Sequence, residues 1–185
     1  MHKPELRQSL LAERAALAAN DTHTKRLMDD RIGARLLQWL QAEKTTSAGV
    51  YWPMRGEPDL HATFETLHNN GIQLSLPVVV SKNAPLKFVA WTPGEAMQDD
   101  RYGTMTPAAP HQETFPQTLV IPCVGFNQHR FRLGYGGGFY DRTVALIPRP
   151  RTVGVAYSFS AVSFMPDTYD IALDALLTDT GCLTG

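Results

Sequence analysis

A chain of 185 residues fits one domain and can bury roughly 70% of its unfolded surface, so it needs neither disulfides nor a metal to fold. Hydrophobic residues make up 43% and charged residues 19%, and the formal net charge is -1 with Lys and Arg scattered, which argues against a nucleic-acid tail or a polybasic membrane patch. The two cysteines, Cys123 and Cys182, lack CxxC spacing and the six histidines form no HExxH, so neither a disulfide framework nor a zinc site is expected.

The first third reads as helix. Pro4 suits a first helical turn, and Leu6, Leu10, Leu11 and Leu17 recur at near-helical spacing. Asp21 or Thr22 caps a second helix whose buried face is Leu27, Ile32, Leu36, Leu37 and Leu40. Ala48 to Trp52 then reads as a buried strand, Asp59 to Asn70 as a helix stopped at Gly71, and Gln73 to Val80 and Leu86 to Trp91 as strands. Gly94 to Gln117 is a long connection with little periodicity, and loops of that length are often functional. Thr118 to Val124 is the next buried strand, with Cys123 a small buried hydrophobe. After a glycine-rich loop come a helix over Phe139 to Ile147, ended by Pro148 and Pro150, and strands over Thr152 to Tyr157 and Asp174 to Thr178. Strand–helix alternation with near-continuous apolar strands predicts an α/β fold, one domain over 1–185 with a largely parallel central sheet flanked by helices. The start lacks the apolar stretch of a signal peptide and no segment approaches the ~20 apolar residues of a membrane span, so the expected location is the cytoplasm.

The most informative stretch is Arg132-Leu133-Gly134-Tyr135-Gly136-Gly137-Gly138-Phe139-Tyr140-Asp141, read as lying between a buried strand and a helix. Four glycines in five positions allow positive φ and close approach to a ligand. The N–H groups of such a turn, with a helix start behind it, favour an anion such as phosphate. No Gly-Lys-Ser/Thr follows, so it is not a Walker A loop, and the last glycine of the dinucleotide fingerprint would fall on Phe139. A plain flexible turn is the bland reading. Arg132 and Asp141 favour phosphate, because they offer a cation for it and a carboxylate for a metal.

This loop resembles the signature of the 5-formyltetrahydrofolate cyclo-ligase family, Arg-Leu-Gly-x-Gly-x-Gly-Tyr/Phe-Tyr-Asp, throughout its ten residues. The resemblance extends over nearly the whole chain. Lys3, Leu6 and Arg7 are similar to the family's Lys-x-x-Leu-Arg, whose basic residues contact ATP phosphates; a solvated helix face is the alternative. Tyr51 to Asp59 resembles the folate-site loop, in which Trp52 lines the pocket and Glu57 hydrogen-bonds the folate. Pro166 to Thr178 resembles the closing motif, in which Asp170 with Asp141 holds Mg²⁺, while Asp174 is read as structural. Two departures stand out: Tyr169 replaces a common His, and Thr104 and Thr106, within Arg101 to Pro107, replace the family's Ile and Glu.

The resemblance implies a Rossmann-like fold, similar to sugar-phosphate isomerases and CoA transferases. It also implies cyclisation of 5-formyltetrahydrofolate to 5,10-methenyltetrahydrofolate with ATP and Mg²⁺, releasing ADP and phosphate. The Gly134–Gly138 N–H groups, Arg132, Lys3 and Arg7 then cradle the triphosphate, and Tyr135 to Phe139 also contact the folate. Leu133 belongs to the same nucleotide-binding loop, and Tyr140 packs beneath it or touches ATP. Arg132 and Asp141 carry the catalytic assignment. The expected partners are small molecules alone, with no nucleic acid or membrane, on a monomer. Rival readings are a non-catalytic nucleotide- or folate-binding regulator of this fold and a sugar-phosphate isomerase or CoA transferase.

Overall fold

The computed structural model describes residues 2–100, 104–109 and 112–185. The chain opens with two helices, α1 (Lys3–Asn20) and α2 (Thr22–Ala42). Pro4 lies in the first turn of α1, and Asp21 caps α2 by accepting the Thr24 N–H at 2.9 Å. Strand β1 (Ser47–Gly49), helix α3 (His61–Asn69) and strand β2 (Gln73–Val78) then form the first parallel crossover unit. Five further short strands follow β2: β3 (Lys87–Ala90), β4 (Met97–Asp99), β5 (Met105–Pro107), β6 (Glu113–Thr114) and β7 (Thr118–Pro122). The rest is a hairpin of β8 (Gly125–Phe126) and β9 (Arg132–Leu133), helix α4 (Phe139–Val144), β10 (Arg151–Val155), a 3₁₀ turn at Ser158–Ser160, β11 (Ala175–Leu177) and β12 (Cys182–Thr184).

The central sheet runs β12-β11-β10-β7-β1-β2-β3-β6. Its five middle strands, β11 to β2, are mutually parallel, and antiparallel strands flank them at both edges. Strand β7 is buried on both faces, so it reads as an unbroken apolar run. Val120 faces a core built with Ile32, Leu36 and Leu40 of α2 and Phe64 and Leu67 of α3. Leu119 and Ile121 face the opposite core, with Phe88, Leu176 and Val144 of α4. Helices on both faces and a mostly parallel sheet match the expected fold class. Among the described residues, no helix is long and apolar enough to cross a membrane.

Several expectations need correction. The Gly94–Gln117 connection holds three strands: β4 and β5 pair as a hairpin, and β6 adds an edge to β3. These strands are two or three residues long, too short for their alternation to register. The helix expected to reach Ile147 ends at Val144. Leu27, expected on the buried face of α2, is 44% exposed, because the buried stripe starts at Asp29 and Ile32. Arg101, Tyr102 and Gly103 lie outside the described residues, whereas Thr104 turns back to bond the Asp100 carboxylate and Thr106 is buried on β5.

Candidate active site

The chain passes from β1 through α3 to β2 on one side of β1, and β7 pairs on its other side. Strand order therefore reverses between β1 and β7. In open α/β sheets, loops leaving such strands part and form a ligand crevice beyond their carboxyl ends. Here those segments are 50–60, which carries Trp52 and Glu57, and the stretch after β7, which carries the glycine-rich loop.

The loop does not follow β7 directly. The β8–β9 hairpin intervenes, and the Val124 N–H donates to the Leu133 carbonyl at 2.9 Å, returning the chain to the end of β7. A two-residue pairing gives too weak a period to read in advance. Gly136 (φ 96°) and Gly138 (φ 65°) are left-handed, the conformation that glycine accepts without steric cost. Helix α4 behind the loop has only six residues, so the expected contribution of its dipole is small. The groups here suited to an anion are the loop N–H groups and the nearby cations.

Helix α1 supplies most of those cations. Leu6 and Leu10 anchor it against Val124 and Leu133. That docking turns Lys3, Arg7 and Arg14 toward the loop region. Arg7 Nε donates to the Gly134 carbonyl at 2.7 Å. Lys3 Nζ lies 2.7 Å from a carboxylate oxygen of both Asp170 and Asp167. Burial alone would raise the Asp170 carboxyl, but bonds from Lys3 and the Asp167 N–H, with the charges of Lys3 and Arg132, hold it below its ordinary value. Lys3 responds in kind: burial would lower its ammonium, yet the two carboxylates raise it.

Arg132 is almost fully enclosed, with its side chain 4% exposed, and its Nη2 lies 2.5 Å from Asp141 Oδ1. This close ion pair lacks hydrogen-bond alignment, so Nη2 remains a buried donor without an aligned acceptor. Such a donor suits an incoming anionic oxygen. Asp141 and Asp170 are thus each matched to a cation, and Arg132 acts on both.

On the other wall, Glu57 is buried at 3% exposure. Its Oε2 accepts the Met54 N–H at 3.0 Å and its Oε1 accepts the Tyr135 hydroxyl at 2.8 Å. Burial pushes this carboxyl up; the Met54 and Tyr135 bonds and the charges of Arg14 and Arg55 pull against it. Tyr135 therefore joins the glycine-rich loop to the loop after β1, which sequence had placed in two separate motifs. Arg55 lies over the Tyr135 ring, 5.3 Å from its centroid. Trp52 stands apart from this bond, edge-on to His61 and Trp91 at 4.5 and 6.2 Å between centroids. Phe139 and Tyr140 pack partly buried against the second core, and the Tyr140 hydroxyl feels Glu57, Arg132 and Tyr135. Tyr140 thus packs against the core and lies within electrostatic reach of Glu57 and Arg132. Asp174 is structural as expected: it accepts the Thr152 N–H and hydroxyl at 2.8 Å.

Sequence reading passed over Arg14. It is 1% exposed and donates to the Cys123 carbonyl at 2.6 Å and to the Tyr135 hydroxyl at 3.2 Å. A signal existed: Lys3, Arg7 and Arg14 fall at i, i+4 and i+11, one face of one helix.

A mostly parallel sheet with a glycine-rich loop, clustered cations and a facing carboxylate at its switch point defines an α/β domain with a candidate small-molecule site, whose groups suit an anionic ligand. Comparison with known proteins sharpens that class. The profile of the 5-formyltetrahydrofolate cyclo-ligase family matches residues 1–179. The 5-formyltetrahydrofolate cyclo-ligase of Mycoplasma pneumoniae is 30% identical over 182 residues, covering 97% of this chain and 99% of that protein. The Escherichia coli K12 protein of the same name is 28% identical over 159 residues, 82% of this chain and 87% of its own. Two solved structures superpose with TM-scores of 0.79 at 28% identity, the 5,10-methenyltetrahydrofolate synthetases of M. pneumoniae and Aquifex aeolicus. They cover 97% and 100% of this chain, and are themselves covered to 99% and 93%. The chain belongs to the 5-formyltetrahydrofolate cyclo-ligase family.

Proposed function

We propose that this chain is a ligase that cyclises 5-formyltetrahydrofolate to 5,10-methenyltetrahydrofolate, using ATP and Mg²⁺ and releasing ADP and phosphate. The observation that carries the reading is the 2.8 Å bond between Tyr135 and Glu57. It brings a loop suited to phosphate against a carboxylate suited to pterin N–H groups, which is what a reaction between ATP and a folate requires.

An amide-like formyl group is a poor electrophile, and its oxygen is a poor leaving group. Transfer of the γ-phosphoryl to that oxygen turns it into phosphate, a good leaving group. N10 of the folate then attacks the formyl carbon, the ring closes and phosphate departs. The protein's share is placement and charge compensation. Arg132, Lys3 and Arg7, with the N–H groups of Gly134 to Gly138, hold the triphosphate. Glu57, Trp52 and the Tyr135–Phe139 stretch hold the folate. Leu133 fixes the loop from beneath, being 1% exposed and packed on Leu6 and Leu10.

Asp141 and Asp170 fit a Mg²⁺ that is shared with nucleotide. They are hard oxygen donors with side chains 26% and 20% exposed. Among the described residues, no group of three or more His, Cys, Asp or Glu could hold a metal on its own. Phosphate oxygens and waters must complete the shell, and the metal's contribution is to offset phosphate charge. The reading includes a monomeric cytoplasmic enzyme acting on small molecules alone; the near-neutral charge and scattered basic residues support the exclusion of nucleic acid from its partners.

Quenched reactions of purified protein with both substrates test the stoichiometry. One ADP and one phosphate should appear for each ring closed. ADP release unchanged by omission of the folate would mean a plain ATPase.

A further inference from the structure

The inference drawn here rests on the proposed reaction and deepens it. We infer that Arg14 is a positioning residue for the folate side of the site, acting through the Tyr135 hydroxyl on Glu57.

An arginine at 1% exposure is rare unless its donors are engaged, because an unpaired buried cation is very costly. Among the described residues Arg14 makes no ion pair. Its fork is used on two neutral oxygens, the Cys123 carbonyl at 2.6 Å and the Tyr135 hydroxyl at 3.2 Å. A carbonyl and a phenol are weak compensation for a full charge. Glu57, one hydrogen bond further on, supplies the rest: the charge of Arg14 acts on it, and Tyr135 bridges the two.

Donor logic then fixes the direction of the chain. A guanidinium can only donate, so the Tyr135 oxygen accepts from Arg14. The phenol has one hydrogen, and it goes to Glu57 Oε1. Each bond polarises the next, so Arg14 strengthens the grip of Tyr135 on the carboxylate. With Oε1 held by Tyr135 and Oε2 by the Met54 N–H, the carboxylate plane is set, and its remaining lone pairs are aimed for substrate N–H groups.

Packing ties the same residue to three segments. The Arg14 stem lies against Gly56, where an added Cβ would come 3.1 Å from Arg14 Cγ. Its Nη2 holds the carbonyl of Cys123, the first residue after β7, and its Nη1 holds the glycine-rich loop through Tyr135. The chain after β1, the chain after β7 and the loop therefore share one fixed point. Lysine cannot copy this, having a single nitrogen in place of a planar fork.

The test is a double-mutant cycle between Arg14 and Tyr135, read by kcat/KM for 5-formyltetrahydrofolate and by equilibrium binding of the folate and of ATP. Wild-type turnover tests the proposed reaction; only differences among variants test the role of Arg14. Arg14→Met and Arg14→Lys should each lower kcat/KM for the folate about ten- to a hundredfold, the range for a charge-assisted bond left unmade. ATP affinity should change by less than about threefold, since Arg14 bonds only the Cys123 carbonyl and the Tyr135 hydroxyl and neither of the Mg²⁺ carboxylates. In a Tyr135→Phe background, Arg14→Met should add less than about threefold, because the path to Glu57 is already cut. Multiplicative losses in the double variant, or equal weakening of ATP and folate, would overturn the assignment. If Arg14→Met does not fold, Tyr135→Phe decides alone, because its partly exposed ring can lose one hydroxyl without unfolding the chain. A Tyr135→Phe enzyme with wild-type folate kcat/KM would overturn the assignment too.

Discussion

Asp141 and Arg132 form the closest side-chain contact within the glycine-rich segment, and both face the same chemistry. Arg132 keeps a buried donor without an aligned acceptor, so neutralising either partner leaves the other uncompensated at a phosphate site. Arg132→Ala and Asp141→Ala should each lower turnover by at least about 10²–10³, the usual loss for one stabilising group. Turnover within threefold of wild type in either purified variant would remove that residue from the site. The Lys3–Asp170 pair makes a different prediction, on stability. The folded Asp170 carboxyl sits below its unfolded value, so its contribution is fully present above about pH 4 and is lost as pH falls through the folded value. Asp170→Asn should therefore flatten the acid limb of urea-midpoint against pH. An unchanged acid limb would show the pair to be solvent-screened.

Helix α1 is the element on which the site depends most. It carries Lys3, Arg7 and Arg14, and its hold on this side of the domain includes Leu6 and Leu10 against Val124 and Leu133. Leu10→Ala should destabilise the fold by about 2–5 kcal/mol, through lost burial and an unfilled cavity. It should also weaken ATP binding, because the cations move with the helix. Calorimetry on the folded variant separates the two effects: nucleotide affinity equal to wild type would mean that α1 does not supply the phosphate contacts. The loop itself answers to backbone geometry. Gly136→Ala puts a Cβ on a residue at φ 96°, a strained conformation, near the Arg7 guanidinium at 3.8 Å. The loop is exposed there and can relax, so nucleotide affinity should fall about five- to thirtyfold with little change in urea midpoint, an outcome of about 1–2 kcal/mol of local strain. Equal loss of both would place Gly136 in the structural frame instead.

Across the whole molecule, legibility followed the length of the pattern. Long apolar stripes in α2 and the unbroken run of β7 are set by burial on a continuous face, so periodicity found them. The β4–β5, β8–β9 and β11–β12 pairings are two or three residues deep, and their partners are decided by tertiary contacts that no local window contains. The site divided in the same way. Arg132, Asp141 and the glycines were legible because loop chemistry is local, and Glu57 was legible through its resemblance to a family motif. The Tyr135–Glu57 bond and the buried Arg14 were not, because segments 78 and 121 residues apart meet only once the strand order reverses between β1 and β7. Leu27 misled because an apolar residue at helical spacing need not face the core when the stripe begins a turn later.

The proposed reaction is ring closure driven by ATP at this switch point. Its most direct test is a spectrophotometric assay of the purified chain with 5-formyltetrahydrofolate, ATP and Mg²⁺, following the methenyl chromophore. The chromophore should grow only when all three are present and should stop when the metal is chelated. A chain that binds nucleotide yet forms no methenyl product, with every component supplied, would contradict the cyclo-ligase reading and leave a nucleotide-binding regulator in its place.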